Sequence, residues 1–222
     1  MSVLLIGASG LAREVLAAGA PGVVGILDDD PATHGTEYGG VPVLGGVGEA
    51  ALRREHLLVC IGSGRARRDV VRRLAAAGVG PARYTTFVAA DARVGSTSTV
   101  RAGSILLDGA TVTADARLGR HVVVMPGCTI THDDVLGDFA TLAAGVSLGG
   151  GVRIGEAAYL GMNAAVRPGI VVGPGATIGM AAAVIRDVPA GQTWAGVPAR
   201  RLSARAASYP PPIPARVLEP HA

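Results

Sequence analysis

The stretch LGRHVVVMPGCTITHDDVLGDFATLAAGVSL, residues 118–148, places an aliphatic residue at every sixth position. The same register runs without a slip over residues 94–189. Its sixteen aliphatic positions are all Val, Leu or Ile: Val94, Val100, Leu106, Val112, Leu118, Val124, Ile130, Leu136, Leu142, Leu148, Ile154, Leu160, Val166, Val172, Ile178 and Val184. A period of six indicates short strands separated by corners and stacked as a parallel β-helix.

Each six-residue unit predicts two inward positions. Eight of the sixteen aliphatic residues are followed directly by Gly, as in Leu136-Gly137. A small or β-branched residue mostly stands four positions after the aliphatic one, as at Ala110 and Cys128. The pattern [LIV]-Gly-x-x-[small]-x resembles the hexapeptide repeat of left-handed β-helix acyltransferases. That resemblance implies that three units close one triangular coil, so that residues eighteen positions apart stack on successive coils.

The first 85 residues show a different order, in which strands and helices alternate. Strand-like runs cover residues 3–7, the segment from Val23, 41–44 and 57–62, and helix-like runs cover LAREVLAAGA, 48–55 and RARRDVVRRLAAAGVG. This order predicts a small parallel sheet with helices on both sides, which makes the domain α/β and Rossmann-like.

Ligands of such a sheet bind at the carboxyl ends of its strands. The candidate substrate-binding residues at three strand ends are Ser9, Gly10 and Leu11, then Asp28 and Asp29, then Arg65. A Gly turn that enters a helix offers N–H groups to phosphate, and an acid can accept a hydrogen bond from a sugar hydroxyl. The alternative is that Gly7 and Gly10 only permit a tight turn and that Asp28 to Asp30 cap a loop. The first turn lacks a full GxGxxG, since Arg13 stands where the third Gly would be.

Within the repeat, His132 and Asp133 form a candidate catalytic pair. A carboxylate beside an imidazole fixes its tautomer and favours its protonated form, which suits a general base; the alternative is a solvated corner. Asp134 falls on an inward position, where a charge must be hydrogen-bonded. We expect it either to distort the corner or to bond the neighbouring backbone or His132. His121 is expected at the surface.

The stacking of successive coils creates a candidate cofactor-binding column. Ala144, Met162 and Met180 are eighteen positions apart, and Gly161 and Gly179 stack beside them. A column of glycines and backbone amides offers pairing groups to an extended thiol cofactor. The alternative is that the glycines only ease the corner.

Composition excludes several functional classes. All 20 cationic residues among the 222 are scattered Arg, and aromatic residues make up 3%, so the net charge of +3 does not indicate a nucleic-acid partner. No uninterrupted apolar run of membrane-spanning length occurs. Cys60 and Cys128 stand far apart among aliphatic residues, which favours reduced cysteines in a cytoplasmic protein.

The GASG turn at 7–10, the acids at 28–30, the repeat with its His-Asp pair, and AGVPAR at 195–200 together resemble the PglD/NeuD-type bacterial sugar acetyltransferases. The resemblance runs from residue 3 to about residue 202. It implies a Rossmann-like sugar-nucleotide-binding domain (1–85), a left-handed parallel β-helix with a C-terminal cap (86–202), and a Pro-rich extended tail (203–222).

The resemblance also implies an activity: acetyl-CoA-dependent N-acetylation of a nucleotide-activated amino sugar of the 4-amino-4,6-dideoxy type, for cell-surface glycans. His132 would be the general base and Asp133 would raise its basicity. The strand-end residues named above would meet the sugar nucleotide. The residues implied to line acetyl-CoA are Thr141, Gly161, Met162, Gly179 and Met180. A homotrimer with sites between subunits, and no metal, are implied as well.

Three positions depart from the family pattern. Leu11 and Thr141 stand where His is common, and Asp134 stands where Cys is usual. The identity of the sugar therefore stays open. Two alternative functions also remain: O-acetylation of sialic acid or a related sugar, and a non-catalytic role as a nucleotide-binding scaffold. A zinc hydratase on this fold is excluded, since it needs three convergent His and the repeat holds only His121 and His132.

Overall fold

The computed structural model describes residues 1–203, so the predicted tail at 203–222 lies, apart from its first residue, outside the described chain. The N-terminal part is a five-stranded sheet in the order β3-β4-β2-β1-β5. Its strands are β1 Val3–Ile6, β2 Val23–Leu27, β3 Glu37–Tyr38, β4 Val41–Gly45 and β5 His56–Val59, and its helices are α1 Gly10–Ala17 and α2 Gly64–Ala76.

The predicted α/β sheet is confirmed, with two differences in detail. The segment expected to be helical at 48–55 is a 3-10 helix, Val47–Leu52. A short antiparallel strand, β3, was not predicted, and it pairs with β4 across Gly39 and Gly40, both with positive φ. Such a two-glycine loop is the turn that a tight hairpin requires. Strand β1, which lies between β2 and β5, is buried along its length, as its aliphatic run predicts.

From Phe87 onward the chain forms a three-sided parallel β-helix. Its first sheet contains β6 Phe87–Val88, β9 Ile105–Leu106, β12 Val123–Val124, β15 Thr141–Leu142, β18 Tyr159–Leu160, β21 Thr177–Ile178, β23 Thr193–Ala195 and β24 Arg200–Arg201. Its second sheet contains β7 Arg93–Val94, β10 Thr111–Val112, β13 Thr129–Ile130, β16 Ser147–Leu148, β19 Ala165–Val166 and β22 Ala183–Val184. Its third sheet contains β8 Thr99–Val100, β11 Arg117–Leu118, β14 Val135–Leu136, β17 Arg153–Ile154 and β20 Val171–Val172.

The eighteen-residue stacking register is confirmed in all three sheets. Thr129 lies between Thr111 and Ser147, its equivalents on the neighbouring coils. Both predicted inward positions fill the axis, as at Val124 and Cys128, which are fully buried. Because each coil contributes only thin aliphatic and small side chains, the low aromatic content of the chain is sufficient for this core.

The three corners of the prism are named by the sheets they join. The first corner joins the first and second sheets, the second corner joins the second and third, and the third corner returns to the first sheet. The helix ends with β24, which turns back antiparallel on β23 at the predicted closing segment. No helix within residues 1–203 is long and apolar enough to span a membrane.

Candidate active site

A cavity of about 690 Å³ lies between the N-terminal domain and the first sheet of the β-helix. The N-terminal domain contributes Ser9, Gly10 and Leu11 at the start of α1, and Gly62 after β5. The β-helix contributes Thr141 and Tyr159 from the first sheet and a group of first-corner residues: Leu107, Asp108, Met125, Pro126, Ala143, Ala144 and Met162. The structure therefore brings three predicted substrate residues together with two predicted cofactor residues.

The side-chain hydroxyl of Ser9, at the start of α1, is already engaged. The Ser9 hydroxyl donates to the carbonyl of Cys60 at 2.7 Å and accepts from the amides of Leu11 at 3.1 Å and Ala12 at 3.4 Å. The charged side chains that line the cavity, Glu14 and Asp108, are both acidic. This wall therefore suits an uncharged part of a ligand better than a phosphate.

The two predicted acids lie outside this cavity and hold loops. The Asp28 carboxylate accepts from the amide of Ala8 at 2.6 Å. Asp29 accepts from the amide of Val47 at 3.0 Å and forms an ion pair with Arg73. These contacts agree with the alternative that the acids close the strand-end loops.

Arg65 faces a neighbouring pocket of about 490 Å³, where its Nη2 donates to the carbonyl of Gly175 at 3.0 Å. Tyr159 lines both this pocket and the main cavity. Arg65 is thus adjacent to the cavity along the first sheet, but it is not part of its wall.

His132 lies at the second corner with 68% of its side chain exposed. Its Nδ1 is 2.8 Å from Oδ2 of Asp133, and this hydrogen bond raises the pKa of the imidazole. Asp133 has φ +63°, a conformation that Asp tolerates better than most residues. With the Nδ1 proton directed at the carboxylate, Nε2 keeps a free lone pair that can take a proton.

A residue that the sequence reasoning missed, Gly150, supports this ring from the next coil. A Cβ at Gly150 would overlap Cε1 and Nε2 of His132 and approach Cδ2 within 3.0 Å. The imidazole therefore occupies the space that the missing side chain leaves. The signal was present as the run Gly149-Gly150-Gly151, eighteen positions after the His-Asp pair.

Asp134 bonds the backbone rather than His132, which settles the choice left open by the sequence. It is fully buried, and its carboxylate accepts from the amides of Thr131 at 2.7 Å and Val152 at 2.8 Å. Burial raises its pKa to about 6, against the effect of the two amides. The side chain ties the turn that carries His132 to the next coil.

The expected surface position of His121 is wrong. Its exposed fraction is 4%, because α2 and the segment after it cover the third corner. The ring stacks on Phe139 at 5.1 Å and meets Tyr84 edge-on at 4.7 Å. Burial, followed by the charge of Arg67, lowers its pKa to about 4.

The predicted cofactor residues occupy the first corner and its edges. Met162 and Met180 protrude there, 47% and 57% exposed. A Cβ on Gly161 would lie 2.7 Å from the amide nitrogen of Met180, and one on Gly179 would lie 2.7 Å from Cβ of Ala195. Both glycines are therefore required for coil stacking, whatever else they contact.

Comparison with solved structures places the chain among sugar acetyltransferases. It matches the acetyltransferase domain of PglB from Neisseria gonorrhoeae at 33% identity and TM-score 0.82, over 90% of this chain and 99% of that one. It matches a variant of perosamine N-acetyltransferase from Caulobacter crescentus, in complex with CoA and GDP-perosamine, at 30% identity and TM-score 0.84, over 91% and 97%. The chain belongs to the PglD/NeuD-type sugar acetyltransferase family.

The N-terminal part of the chain matches the same family by itself. The family model of the PglD N-terminal domain matches residues 2–74. A search of curated protein sequences gives no match. WeeI from Acinetobacter baumannii, at 22% identity and TM-score 0.65 over 91% of this chain and all of that one, shares the fold. The predicted fold, an α/β domain followed by a left-handed parallel β-helix, is confirmed.

In this acetyltransferase the candidate base and the cavity lie at different corners. Pro126, in the cavity wall, and His132 are on the same coil but one side of the prism apart. His132 does not line the cavity. Within residues 1–203 no group of three or more His, Cys, Asp or Glu side chains is arranged to hold a metal ion.

Proposed function

We propose that the chain transfers the acetyl group of acetyl-CoA to the amino group of a nucleotide-linked amino sugar of the 4-amino-4,6-dideoxy type, as a step in cell-surface glycan synthesis. The observation that carries the proposal is the His132–Asp133 pair, bonded at 2.8 Å on a coil of a sugar acetyltransferase β-helix. The similarity to perosamine N-acetyltransferase supports an amine acceptor and a CoA thioester donor. The reduced state of both buried cysteines suits a cytoplasmic reaction.

The proposed step is direct transfer in which His132 acts as general base. Nε2 takes a proton from the sugar amine as its nitrogen attacks the thioester carbonyl. The tetrahedral intermediate then breaks its carbon–sulfur bond, and the CoA sulfur leaves with a proton from His132. Asp133 stabilises the imidazolium that exists between these two events. Both free thiols are buried with raised pKa values, which makes a covalent cysteine intermediate unfavourable.

The proposed active enzyme is a homotrimer with its sites between subunits. One chain presents an exposed imidazole at the second corner and an apolar cavity at the first corner. A neighbouring copy that brings its first corner against His132 would join the two halves. The protruding Met162 and Met180, with Thr141, Gly161 and Gly179, would then line acetyl-CoA.

The sugar nucleotide is proposed to bind from the N-terminal side. Ser9 and Gly10 would contact it through their backbone, since the Ser9 hydroxyl is already engaged. Leu11, 6% exposed, offers only an apolar contact in place of a polar one. Arg65 would meet the anionic part of the sugar nucleotide along the adjacent pocket. Asp28 and Asp29, whose carboxylates also hold loop amides, would accept hydrogen bonds from its hydroxyls with their remaining lone pairs.

The test is thiol release from acetyl-CoA with UDP-, dTDP- and GDP-linked 4-amino sugars, with free sialic acid as a comparison. Release with one amino sugar that is lost in His132→Ala supports the proposal. Release with sialic acid alone would replace it by O-acetylation. Binding of a sugar nucleotide, with no thiol release from acetyl-CoA for any acceptor, would indicate a nucleotide-binding scaffold.

A further inference from the structure

Arg67 is a buried cation that joins the two domains. It lies on α2 of the N-terminal domain and is fully buried. Its Nε donates to the carbonyl of His121 at 2.8 Å, and Nη2 donates to that of Phe139 at 2.9 Å, both at the third corner of the β-helix. Nη1 donates to the carbonyls of Ile61 and Gly62, which follow β5. One side chain therefore binds the strand end beside the cavity to the β-helix.

This guanidinium has carbonyl partners and no carboxylate partner among residues 1–203. Burial lowers its pKa to about 10, so it stays charged at neutral pH. A buried cation compensated only by carbonyl dipoles needs nearly all its hydrogen bonds, and the planar fork of Arg supplies them in fixed directions. Gly64 permits this docking, because a Cβ there would overlap the carbonyl oxygen of Phe139.

A fifth carbonyl, that of Ala140, lies 3.2 Å from Nη2, and the sixth contact of Arg67 reaches the cavity wall. Its Nη2 lies 3.0 Å from Oγ1 of Thr141, and the same Oγ1 lies 3.0 Å from the carbonyl oxygen of Gly62. Thr141 and Gly62 both line the cavity. A guanidinium can only donate and a carbonyl can only accept, so the Thr141 hydroxyl accepts from Arg67 and donates its proton to Gly62.

We propose that Arg67 is a positioning residue that makes Thr141 a hydrogen-bond acceptor on the wall of the acetyl-transfer cavity. The single hydroxyl proton is committed to Gly62, so at the cavity wall, where Thr141 is 3% exposed, its oxygen can only accept from a ligand. The ligand group that meets Thr141 is therefore an N–H or O–H donor. The inference rests on the proposed function, and it adds that in the contact at Thr141 the ligand donates the hydrogen bond and the protein accepts it.

Two parts of the substrates carry such donors: the amide N–H groups of the pantetheine arm of acetyl-CoA, and the hydroxyls of the sugar nucleotide. The test measures KM for each substrate separately in Thr141→Val, which keeps the shape and removes the oxygen, and in Thr141→Ser, which keeps it. Thr99→Val, at the same strand position on the third sheet, is the control, because Thr99 makes no hydrogen bond with Arg67 and does not line the cavity.

Thr141→Val is expected to raise KM about tenfold for one of the two substrates, with kcat changed less than about twofold. Thr141→Ser and Thr99→Val should keep both KM values within about twofold of wild type. Arg67→Lys should raise the same KM as Thr141→Val, and the double variant should be no worse than the poorer single one, because both changes act through one oxygen.

Three results would overturn the inference: unchanged KM values in Thr141→Val, equal losses in Thr141→Ser and Thr141→Val, or additive losses in the double variant. If Arg67→Lys does not fold, the two Thr141 variants still decide. If no acceptor is turned over, the proposed function fails. The dissociation constants of CoA alone and of each sugar nucleotide alone, measured by calorimetry, then take the place of the KM values. Equal dissociation constants for wild type and Thr141→Val would then refute the acceptor role.

Discussion

Gly150→Ala should inactivate the enzyme while leaving it folded. The new Cβ would overlap Cε1 and Nε2 of His132, whereas ordinary contact begins at 3.4 Å. The ring must therefore move by about 1 Å, a misplacement that can cost about a hundredfold in rate, or about 2.7 kcal/mol in activation free energy. Since the imidazole is 68% exposed, it can move into solvent without disturbing the core.

The stability of this variant should hardly change. Gly150 is not among the residues with positive φ, so Ala fits its backbone and restricts the unfolded chain. The free energy of unfolding is expected to stay within about 1 kcal/mol of wild type. The measurements are kcat for thiol release and a denaturant titration, with Gly48→Ala as control because a Cβ there meets nothing within 4 Å. A Gly150→Ala enzyme with kcat within about threefold of wild type would refute the steric role assigned to this glycine.

Four further results are expected. His132→Ala should lower kcat at least about a hundredfold with unchanged thermal stability, since the ring is exposed; residual activity within tenfold would point to another base. Asp133→Asn should lower the pKa of His132 and move the acid limb of the kcat–pH profile to lower pH, and an unshifted limb would contradict the hydrogen-bond assignment. Gly64→Ala should destabilise the fold by about 1–3 kcal/mol in denaturant titrations by pushing α2 from the β-helix, whereas Gly80→Ala should not. Asp134→Asn should make unfolding free energy fall by about 3 kcal/mol as pH drops from 6.5 towards 4, while wild type stays nearly flat.

The sign of that last effect follows from two opposite shifts. His121 has a folded pKa of about 4, below its ordinary 6.5, so the unfolded chain binds more protons and stability falls as pH drops between these values. Asp134 has a folded pKa of about 6, above its ordinary 3.8, so stability rises as pH drops through the same window. Replacing Asp134 leaves the His121 contribution unopposed.

The β-helix could be predicted almost completely, because each six-residue unit repeats the same local rule. With three units to a coil, as the resemblance to hexapeptide-repeat acyltransferases implies, the eighteen-residue register follows, and it places Thr129 beside Thr111 and Ser147 as expected. The pairing of His132 with Asp133 was predictable as well, because the two residues are adjacent in sequence. The hairpin of β3 and β4 was missed although its Gly-Gly turn is a local signal.

Contacts between the domains could not be predicted in this way. The burial of His121 depends on α2 covering the third corner, and no spacing within the repeat encodes that packing. The engagement of the Ser9 hydroxyl by Cys60 depends on two strand ends meeting in space. Arg67 belongs to the helical run RARRDVVRRLAAAGVG, where nothing in the sequence distinguishes it from the neighbouring arginines, whereas within residues 1–203 it forms more hydrogen bonds between the domains than any other side chain.

Departures from the repeat rule have two separable causes in this protein. At the second corner, a buried acid at an inward position and a glycine on the next coil act on one imidazole: Asp134 fixes the turn that carries His132, and Gly150 makes room for its ring. At the third corner, the rings of His121 and Phe139 are covered by α2, whereas the imidazole of His132 at the second corner faces solvent. The second corner therefore combines an inward charge with a glycine eighteen positions from the neighbouring His, whereas the buried aromatic corner is the surface on which α2 docks. The first combination can be found from sequence alone, because both of its signals lie within the repeat.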